Sequence, residues 1–141
     1  MSGNDPLDGV WYSGVGSKLE LSVKGSELSG YFHSKEGPGG KYRLIGSIDP
    51  DPDRDNRALS FSVSWITPDT PKDRRSVTSY TGQYHRSHEV IRTIFLLADE
   101  TSPTKQYVST FVGYDNFSRM EPAADLADKE RKLGTPHSKL A

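Results

Sequence analysis

Hydrophobic and polar residues alternate along much of this chain, and the alternation has a period of two. In residues 18–24, the apolar Leu19, Leu21 and Val23 alternate with polar residues at every step. Such alternation is typical of a β-strand that places one face on a core and the other in water. The same pattern recurs over residues 59–65, where serines stand behind an apolar face.

Segments of this kind follow one another along the chain, and turn-forming residues separate them. The separators include Gly25-Ser26, a Gly- and Pro-rich cluster over 36–40 and an alternation of Asp and Pro over 49–53. Short links favour antiparallel neighbours in a meander, and closing a meander into a barrel removes its exposed edges. About eight strands leave room inside for one small ligand. A sandwich is the alternative on pattern alone. The predicted strands are residues 9–12, 18–24, 27–34, 42–48, 59–65, 76–85, 90–98 and 109–119.

The last two predicted strands carry apolar residues on both faces. Ile94 and Leu96 lie on the face that should point outward, and Val112 and Tyr114 do the same in the final strand. In a barrel, only another subunit buries an outer face, so we expect a homo-oligomer through these four residues. The favoured assembly is a homotetramer, and a dimer is the alternative. The alternative is ordinary exposure, since single apolar residues are common on surfaces.

Composition fits one small β domain and excludes several partners. The chain has 141 residues, and its seven Tyr, five Phe and two Trp offset a hydrophobic fraction of only 33%. Thirteen Gly and nine Pro supply turns. The net charge of −1 leaves no field that would attract phosphate backbones or anionic lipid. We therefore expect neither nucleic acid nor membrane as a partner.

The sequence contains no complete motif for metal binding or catalysis. Four Asp alternate over residues 49–55 as at the start of a calcium loop, but Pro50 and Pro52 intervene, and Ser60 stands where a bidentate Glu belongs. The chain has no Cys, its four His have no metal-site spacing, and no nucleophile elbow or phosphate loop is present. We expect no metal, no cofactor and no enzyme.

The two ends of the chain differ from its middle. The first residues contain no basic segment followed by an apolar run, so we expect a cytoplasmic protein if the sequence is full length. We assign residues 1–7 to a flexible N-terminus and residues 8–119 to the barrel domain. Residues 120–141 form a polar tail in which a short surface helix is one possibility.

Six motifs resemble the avidin and streptavidin family in order and spacing. They are GVWY with a following GS in residues 9–17, LSG at 28–30, FSVSW at 61–65, TSYTGQY at 78–84, TIFLL at 93–97 and STFVGYDNFS at 109–118. The lack of an export signal and the polar tail make the chain more similar to the fungal intracellular members. The resemblance implies an eight-stranded antiparallel up-and-down β-barrel that binds biotin without catalysis.

Biotin's ureido ring is neutral and needs donors for its carbonyl oxygen and acceptors for its two N–H groups. The resemblance implies that Ser13 and Ser17 donate to the carbonyl oxygen. It also implies that Ser34 and Asp115 accept from the ring, with Asp115 polarising it from the far side. On pattern alone, Asp115 equally suits a structural role as an acceptor for backbone amides.

The third predicted strand departs from the family. Phe32 stands where the family has a Tyr, so the phenol that would donate to the carbonyl oxygen is missing, and Tyr31 points outward by the period of two. The resemblance matches Thr78 with a hydroxyl that touches the thioether sulfur, and Ser76 with one that meets the carboxylate tail.

The apolar wall departs further. Trp65 keeps one of the family's Trp residues, while Tyr80, Phe95 and Tyr107 replace the others, and Leu97 completes the predicted lining. The family's counterpart of Tyr107 comes from a neighbouring subunit. Each smaller ring costs on the order of 1 kcal/mol, and the lost donor costs roughly 1 kcal/mol more. We therefore expect weaker but real biotin binding, lower by very roughly two to four decades.

A lid is also implied. Residues 35–41, with Glu36 and Gly37 as ligand contacts, match the loop that closes over the family's pocket, although Pro38 removes one backbone donor.

Three functions remain open to the sequence. The first is a biotin-sequestering protein that acts in defence, and the second is the same barrel with an altered pocket for another small molecule or a peptide. The third is an enzyme or inhibitor on a lipocalin-like barrel. Without the resemblance, the pattern favours Trp65 and Phe95 as core residues of a small barrel over a role as ligand wall.

Overall fold

The computed structural model describes residues 4–34, 40–72, 75–104 and 110–122. Within them the chain forms eight antiparallel strands, each paired with its neighbour in the chain, and β8 pairs with β1 to close a barrel. The strands are β1 (Gly9–Ser13), β2 (Lys18–Lys24), β3 (Glu27–Ser34), β4 (Gly40–Ile48), β5 (Asn56–Ser64), β6 (Ser76–His85), β7 (Val90–Asp99) and β8 (Thr110–Ser118). A short 3-10 helix, Arg86–His88, links β6 to β7. The predicted fold class is confirmed.

The core lies inside the barrel, where alternate residues of each strand point. In β5, Leu59, Phe61 and Val63 are buried while the residues between them are more exposed. The strand register then brings inward residues side by side, because Phe61 lies opposite Tyr80, and Tyr80 lies opposite Phe95. The apolar residues that alternate along each strand therefore form one interior that is rich in aromatic rings.

Gly46 and Gly82 lie where neighbouring strands leave no space for a side chain. A Cβ atom at Gly82 in β6 would lie 1.8 Å from the carbonyl oxygen of Arg92 in β7. A Cβ atom at Gly46 in β4 would lie 1.9 Å from the carbonyl oxygen of Ser60 in β5. No other residue fits at such distances, so these glycines are required by the close pairing of β4 with β5 and of β6 with β7.

The segment before β1 packs against the barrel. Leu7 is fully buried, and its carbonyl accepts a hydrogen bond of 2.8 Å from the indole N–H of Trp11. The buried Arg57 donates two hydrogen bonds, of 2.7 and 2.9 Å, to the carboxylate of Asp5. The terminus that we expected to be flexible, residues 1–7, is therefore anchored over its described part, because a buried guanidinium needs a carboxylate partner.

Arg119, the residue that follows β8, packs against β1 and the segment before it. The guanidinium of Arg119 lies 3.9 Å from the centre of the Trp11 ring and donates to the carbonyl oxygens of Val10 and Pro6. Arg119 is thus held against β1 and the segment before it by a cation–π contact and by side-chain hydrogen bonds to backbone carbonyls. The predicted polar tail, residues 120–141, lies outside the described residues from position 123 onward.

The outer face of β7 and β8 is apolar, as the sequence predicts. Ile94, Leu96, Val112 and Tyr114 point outward, with exposed fractions of 50, 52, 69 and 80%. Phe111, on the other face of β8, is also 37% exposed, whereas Phe117 on that face is fully buried. These exposures belong to a single chain, so the oligomer that would cover the face remains a prediction.

Candidate functional site

Two serines are buried next to the seam between β1 and β8. The Ser13 hydroxyl oxygen accepts a hydrogen bond of 3.1 Å from the Ser17 amide, and the Ser13 amide donates to the Ser17 carbonyl over 2.9 Å. Ser13 also lies opposite Phe117 in the strand register. These bonds fix the turn between β1 and β2, so both predicted donors have defined positions.

The largest ring of the predicted wall is held by a hydroxyl. The indole N–H of Trp65, which follows β5, donates to the Thr78 hydroxyl oxygen over 2.8 Å. The Trp65 ring also meets the rings of Phe32 and Tyr42 edge-on, at centroid distances of 5.2 and 5.0 Å. Trp65 is therefore restrained both by a polar bond and by aromatic packing.

The ring of Tyr80 is the centre of an aromatic cluster. It stacks on Phe61 at a centroid distance of 4.6 Å, with only 22° between the ring planes. The rings of Phe32, Phe95 and Phe117 surround it at 6.1 to 6.3 Å. These five rings come from β3, β5, β6, β7 and β8, so closure of the barrel is what brings them together.

Phe32 faces the interior, and its neighbour Tyr31 faces outward, as the sequence predicts. Phe32 is 2% exposed, whereas Tyr31 is 37% exposed with the Lys41 ammonium 4.2 Å from its ring centre. The interior surface of β3 therefore carries no phenol, and the phenol next to it in sequence cannot reach the interior.

Asp115 is buried among apolar groups. Its Oδ2 atom has no hydrogen-bond partner within the described chain, and the hydroxyl of Thr93 donates to its backbone carbonyl over 2.6 Å. Burial disfavours the charged form and raises the pKa of the Asp115 carboxyl to about 8. The ligand-free protein thus holds this carboxyl mostly protonated at neutral pH.

Three inward side chains share an unusual property. The hydroxyl oxygens of Ser76 and Tyr80 and the Oδ2 atom of Asp115 are buried without a hydrogen-bond partner among the residues that the structure describes. More than about 90% of buried polar groups in proteins have a partner, because an unpaired group loses its hydration without compensation. Unpaired polar atoms in an aromatic interior are typical of a site that completes its hydrogen bonds with a ligand.

The predicted site residues that the structure describes all lie inside the barrel. Glu36, Gly37 and Tyr107 lie outside the described residues, as does most of the predicted lid, residues 35–41. The buried residues of the prediction are Ser13, Ser17, Phe32, Ser34, Trp65, Ser76, Thr78, Tyr80, Phe95, Leu97 and Asp115.

Of the buried aromatic residues that were not assigned to the site from the sequence, three contact rings that were. Phe61 and Phe117 contact the Tyr80 ring, and Tyr42 contacts Trp65. Phe61 and Phe117 do lie on predicted inward faces, an even number of residues from Trp65 and from Asp115. Periodicity gives this direction, but only the register across the barrel shows which rings touch.

The arrangement provides hydrogen-bonding groups and apolar surface. Among the described residues, no group of three or more His, Cys, Asp or Glu is placed to bind a metal ion. That part of the chain also has no helix whose length and apolarity would allow it to cross a membrane. What the interior offers is a carboxyl, small hydroxyls and a phenol enclosed by aromatic rings.

The sequence was also compared with models of protein families, and one of them matches most of the chain. The model described as "Avidin family" matches residues 1–120, which include all eight strands.

Proposed function

This chain belongs to the avidin family, and from that membership together with the interior geometry we propose that it binds biotin inside the barrel without catalysing a reaction. The observation that carries the proposal is the set of unpartnered buried atoms on Ser76, Tyr80 and Asp115. A ligand that pairs with them supplies hydrogen bonds that the described residues do not make among themselves.

The chemistry of the interior favours a neutral polar ring. Bringing an isolated charge into an interior rich in aromatic rings is costly, whereas a cyclic urea is uncharged and has both donors and an acceptor. In the proposed complex, Asp115 and Ser34 accept from the ring N–H groups, and Ser13 and Ser17 donate to its carbonyl oxygen. Ser76 then meets the carboxylate tail and Thr78 the thioether sulfur.

We propose that the affinity is lower than is usual in the family. Phe32 provides no hydroxyl, and Tyr80 and Phe95 offer less contact area than a Trp would. The area coefficient and the value of a neutral hydrogen bond put each change at about 1 kcal/mol, or roughly fivefold in the dissociation constant.

Binding without turnover withdraws a ligand from solution. We therefore propose that the protein acts by sequestering biotin, in defence against organisms that need the vitamin. The apolar outer face made by Ile94, Leu96, Val112 and Tyr114 supports a homotetramer as the working form.

A second candidate is favoured by one observation. The buried Phe32 makes the β3 side of the interior less polar than biotin recognition calls for. A barrel that binds another small molecule, or a peptide, is therefore the alternative, and competition against biotin distinguishes the two.

Thermal unfolding with and without biotin tests the proposal. A ligand that binds only the native state raises its free energy of unfolding by about 2.7 kcal/mol at one hundred times the dissociation constant. We expect a higher midpoint for the wild type and a smaller rise for Asp115→Asn. The matched control is Asp51→Asn, at an exposed loop position. An unchanged wild-type midpoint at millimolar biotin would overturn biotin binding.

Proton release gives an independent measurement. Ring N–H groups that donate to Asp115 favour its charged form, so binding at pH 7 should release a proton from this carboxyl. Titration calorimetry in phosphate and in Tris should then give different apparent heats, because the two buffers take up the proton with different enthalpies. Asp115→Asn should remove the difference, and equal heats for the wild type would contradict the assigned contact.

A further inference from the structure

The hydroxyl of Tyr80 is an unused polar group at the centre of the barrel. Tyr80 is fully buried, and its hydroxyl oxygen has no hydrogen-bond partner in the part of the chain that the structure describes. An unpaired buried hydroxyl destabilises a protein, so a Phe would serve better if the ring were needed only for packing. The phenol is therefore best explained by a partner other than the residues that the structure describes, and a bound ligand is such a partner.

The surroundings of the ring prevent this hydroxyl from finding a partner by moving. Stacking on Phe61 and contacts with Phe95 and Phe117 hold the ring on three sides. The register fixes its strand as well, with Tyr80 opposite Phe61 on one side and Phe95 on the other. The hydroxyl thus has a defined position from which it can meet a ligand at little cost in conformational entropy.

Two groups close to Tyr80 bear on what its hydroxyl can recognise. The Tyr80 ring lies nearly parallel to the Phe32 ring, at a centroid distance of 6.1 Å and an angle of 24°. Burial, together with the electrostatic effect of the Asp115 carboxyl, keeps the pKa of Tyr80 well above its ordinary range. The phenol therefore stays a neutral O–H donor. It lies near the Phe32 ring, which lacks a hydroxyl, and within electrostatic range of the Asp115 carboxyl.

A neighbouring donor and acceptor are complementary to an N–H next to a C=O, the pair that every amide or urea presents. We propose that the Tyr80 hydroxyl donates a hydrogen bond to the carbonyl oxygen of the bound cyclic urea while Asp115 accepts from the adjacent N–H. The phenol that Phe32 does not supply from β3 is thereby supplied from β6. This inference rests on the proposed function, and it makes Tyr80 a polar contact as well as part of the apolar wall.

The test is the dissociation constant of Tyr80→Phe, measured by titration calorimetry with biotin. This change removes one oxygen and keeps the ring, so the packing with Phe61 remains. We expect binding to weaken about tenfold, which corresponds to about 1.4 kcal/mol. The matched control is Tyr84→Phe, because Tyr84 is on the same strand and its hydroxyl meets Glu89, at 3.4 Å, away from the interior site. This control should bind as the wild type does.

A second ligand identifies the atom that the phenol contacts. A biotin analogue with sulfur in place of the ureido oxygen offers a weak acceptor. For this analogue, Tyr80→Phe should raise the dissociation constant less than threefold. An equal loss for both ligands would show that the hydroxyl acts through Asp115 and would overturn the assigned contact.

Two further results separate this inference from the proposed function. Wild-type protein that binds biotin no better than Tyr80→Phe would overturn the inference and leave biotin binding intact. Wild-type protein with no measurable affinity would overturn both. Without ligand, Tyr80→Phe should unfold at the wild-type midpoint or above it, and a lower midpoint would reveal a partner for the hydroxyl within the protein.

Discussion

The indole N–H of Trp65 donates to the hydroxyl oxygen of Thr78 over 2.8 Å, so one side chain of the wall is fixed by another. Trp65 follows β5 and Thr78 lies in β6, and the Trp65 amide also donates to the Ser76 carbonyl. The orientation of the largest ring in the site therefore depends on a hydroxyl that the resemblance assigns to the ligand.

Thr78→Val should destabilise the protein, because Val keeps the shape of Thr but removes this acceptor for the indole. We expect the free energy of unfolding in urea to fall by about 1 to 3 kcal/mol. Thr81→Val is the matched control, since Thr81 lies on the same strand and faces outward. Equal stability of the two variants would mean that the bond contributes nothing.

The stability of the ligand-free protein should decrease as the pH rises. Native Asp115 keeps its proton up to about pH 8, whereas an unfolded Asp loses it near pH 4. Between these values the native state binds more protons than the unfolded state, so the free energy of unfolding falls, by at most about 1.4 kcal/mol per pH unit. Above about pH 8 this contribution levels off.

Urea unfolding at several values between pH 5 and pH 8 measures this slope, and Asp115→Asn should reduce it. Asp5 has the opposite effect on the pH dependence of stability, because its pKa is lowered in the native state. Burial alone raises its pKa, but hydrogen bonds from Arg57 and the Leu7 amide outweigh burial and hold the pKa below its ordinary value. Its contribution is lost only as the pH falls below about 4, outside the measured range. A wild-type slope that persists in Asp115→Asn would contradict the assignment to Asp115.

Phe32→Tyr should tighten biotin binding, because it adds a phenol on the β3 side of the interior. We expect a gain of about threefold to tenfold in the wild type. The gain should be larger in a Tyr80→Phe background, where no other phenol donates to the carbonyl oxygen. Tyr31→Phe, which alters a phenol on the outer face of the same strand, should leave affinity unchanged. A Tyr at position 32 that changes nothing in either background would exclude β3 from the site.

Val112→Glu should dissociate the proposed oligomer without unfolding the chain, because Val112 is 69% exposed in the single barrel. A buried unpaired carboxylate in a subunit interface is strongly unfavourable. Light scattering should show a multiple of the 15.6 kDa chain for the wild type and the single-chain mass for the variant. Ser22→Glu, on the exposed side of β2, is the control that should stay assembled. A monomeric wild type would refute the interface.

The fold and much of the site are predictable from the sequence, because the period of a strand is a local property. The alternation in residues 18–24 and 59–65 specifies which side chains share a face, whatever the rest of the chain does. The same period places Phe32 and Asp115 inside and Tyr31 outside, and the short links specify antiparallel neighbours. The structure has each of these features.

Only the tertiary structure decided which inward residues meet. That Phe61 and Phe117 enclose Tyr80, and that the Tyr80 hydroxyl has no partner within the described chain, depends on register and closure across several strands. The anchoring of Asp5 to Arg57 likewise joins residues 52 positions apart in sequence. Periodicity determines the direction of a side chain, whereas its partners are determined by how the closed sheet aligns distant parts of the chain.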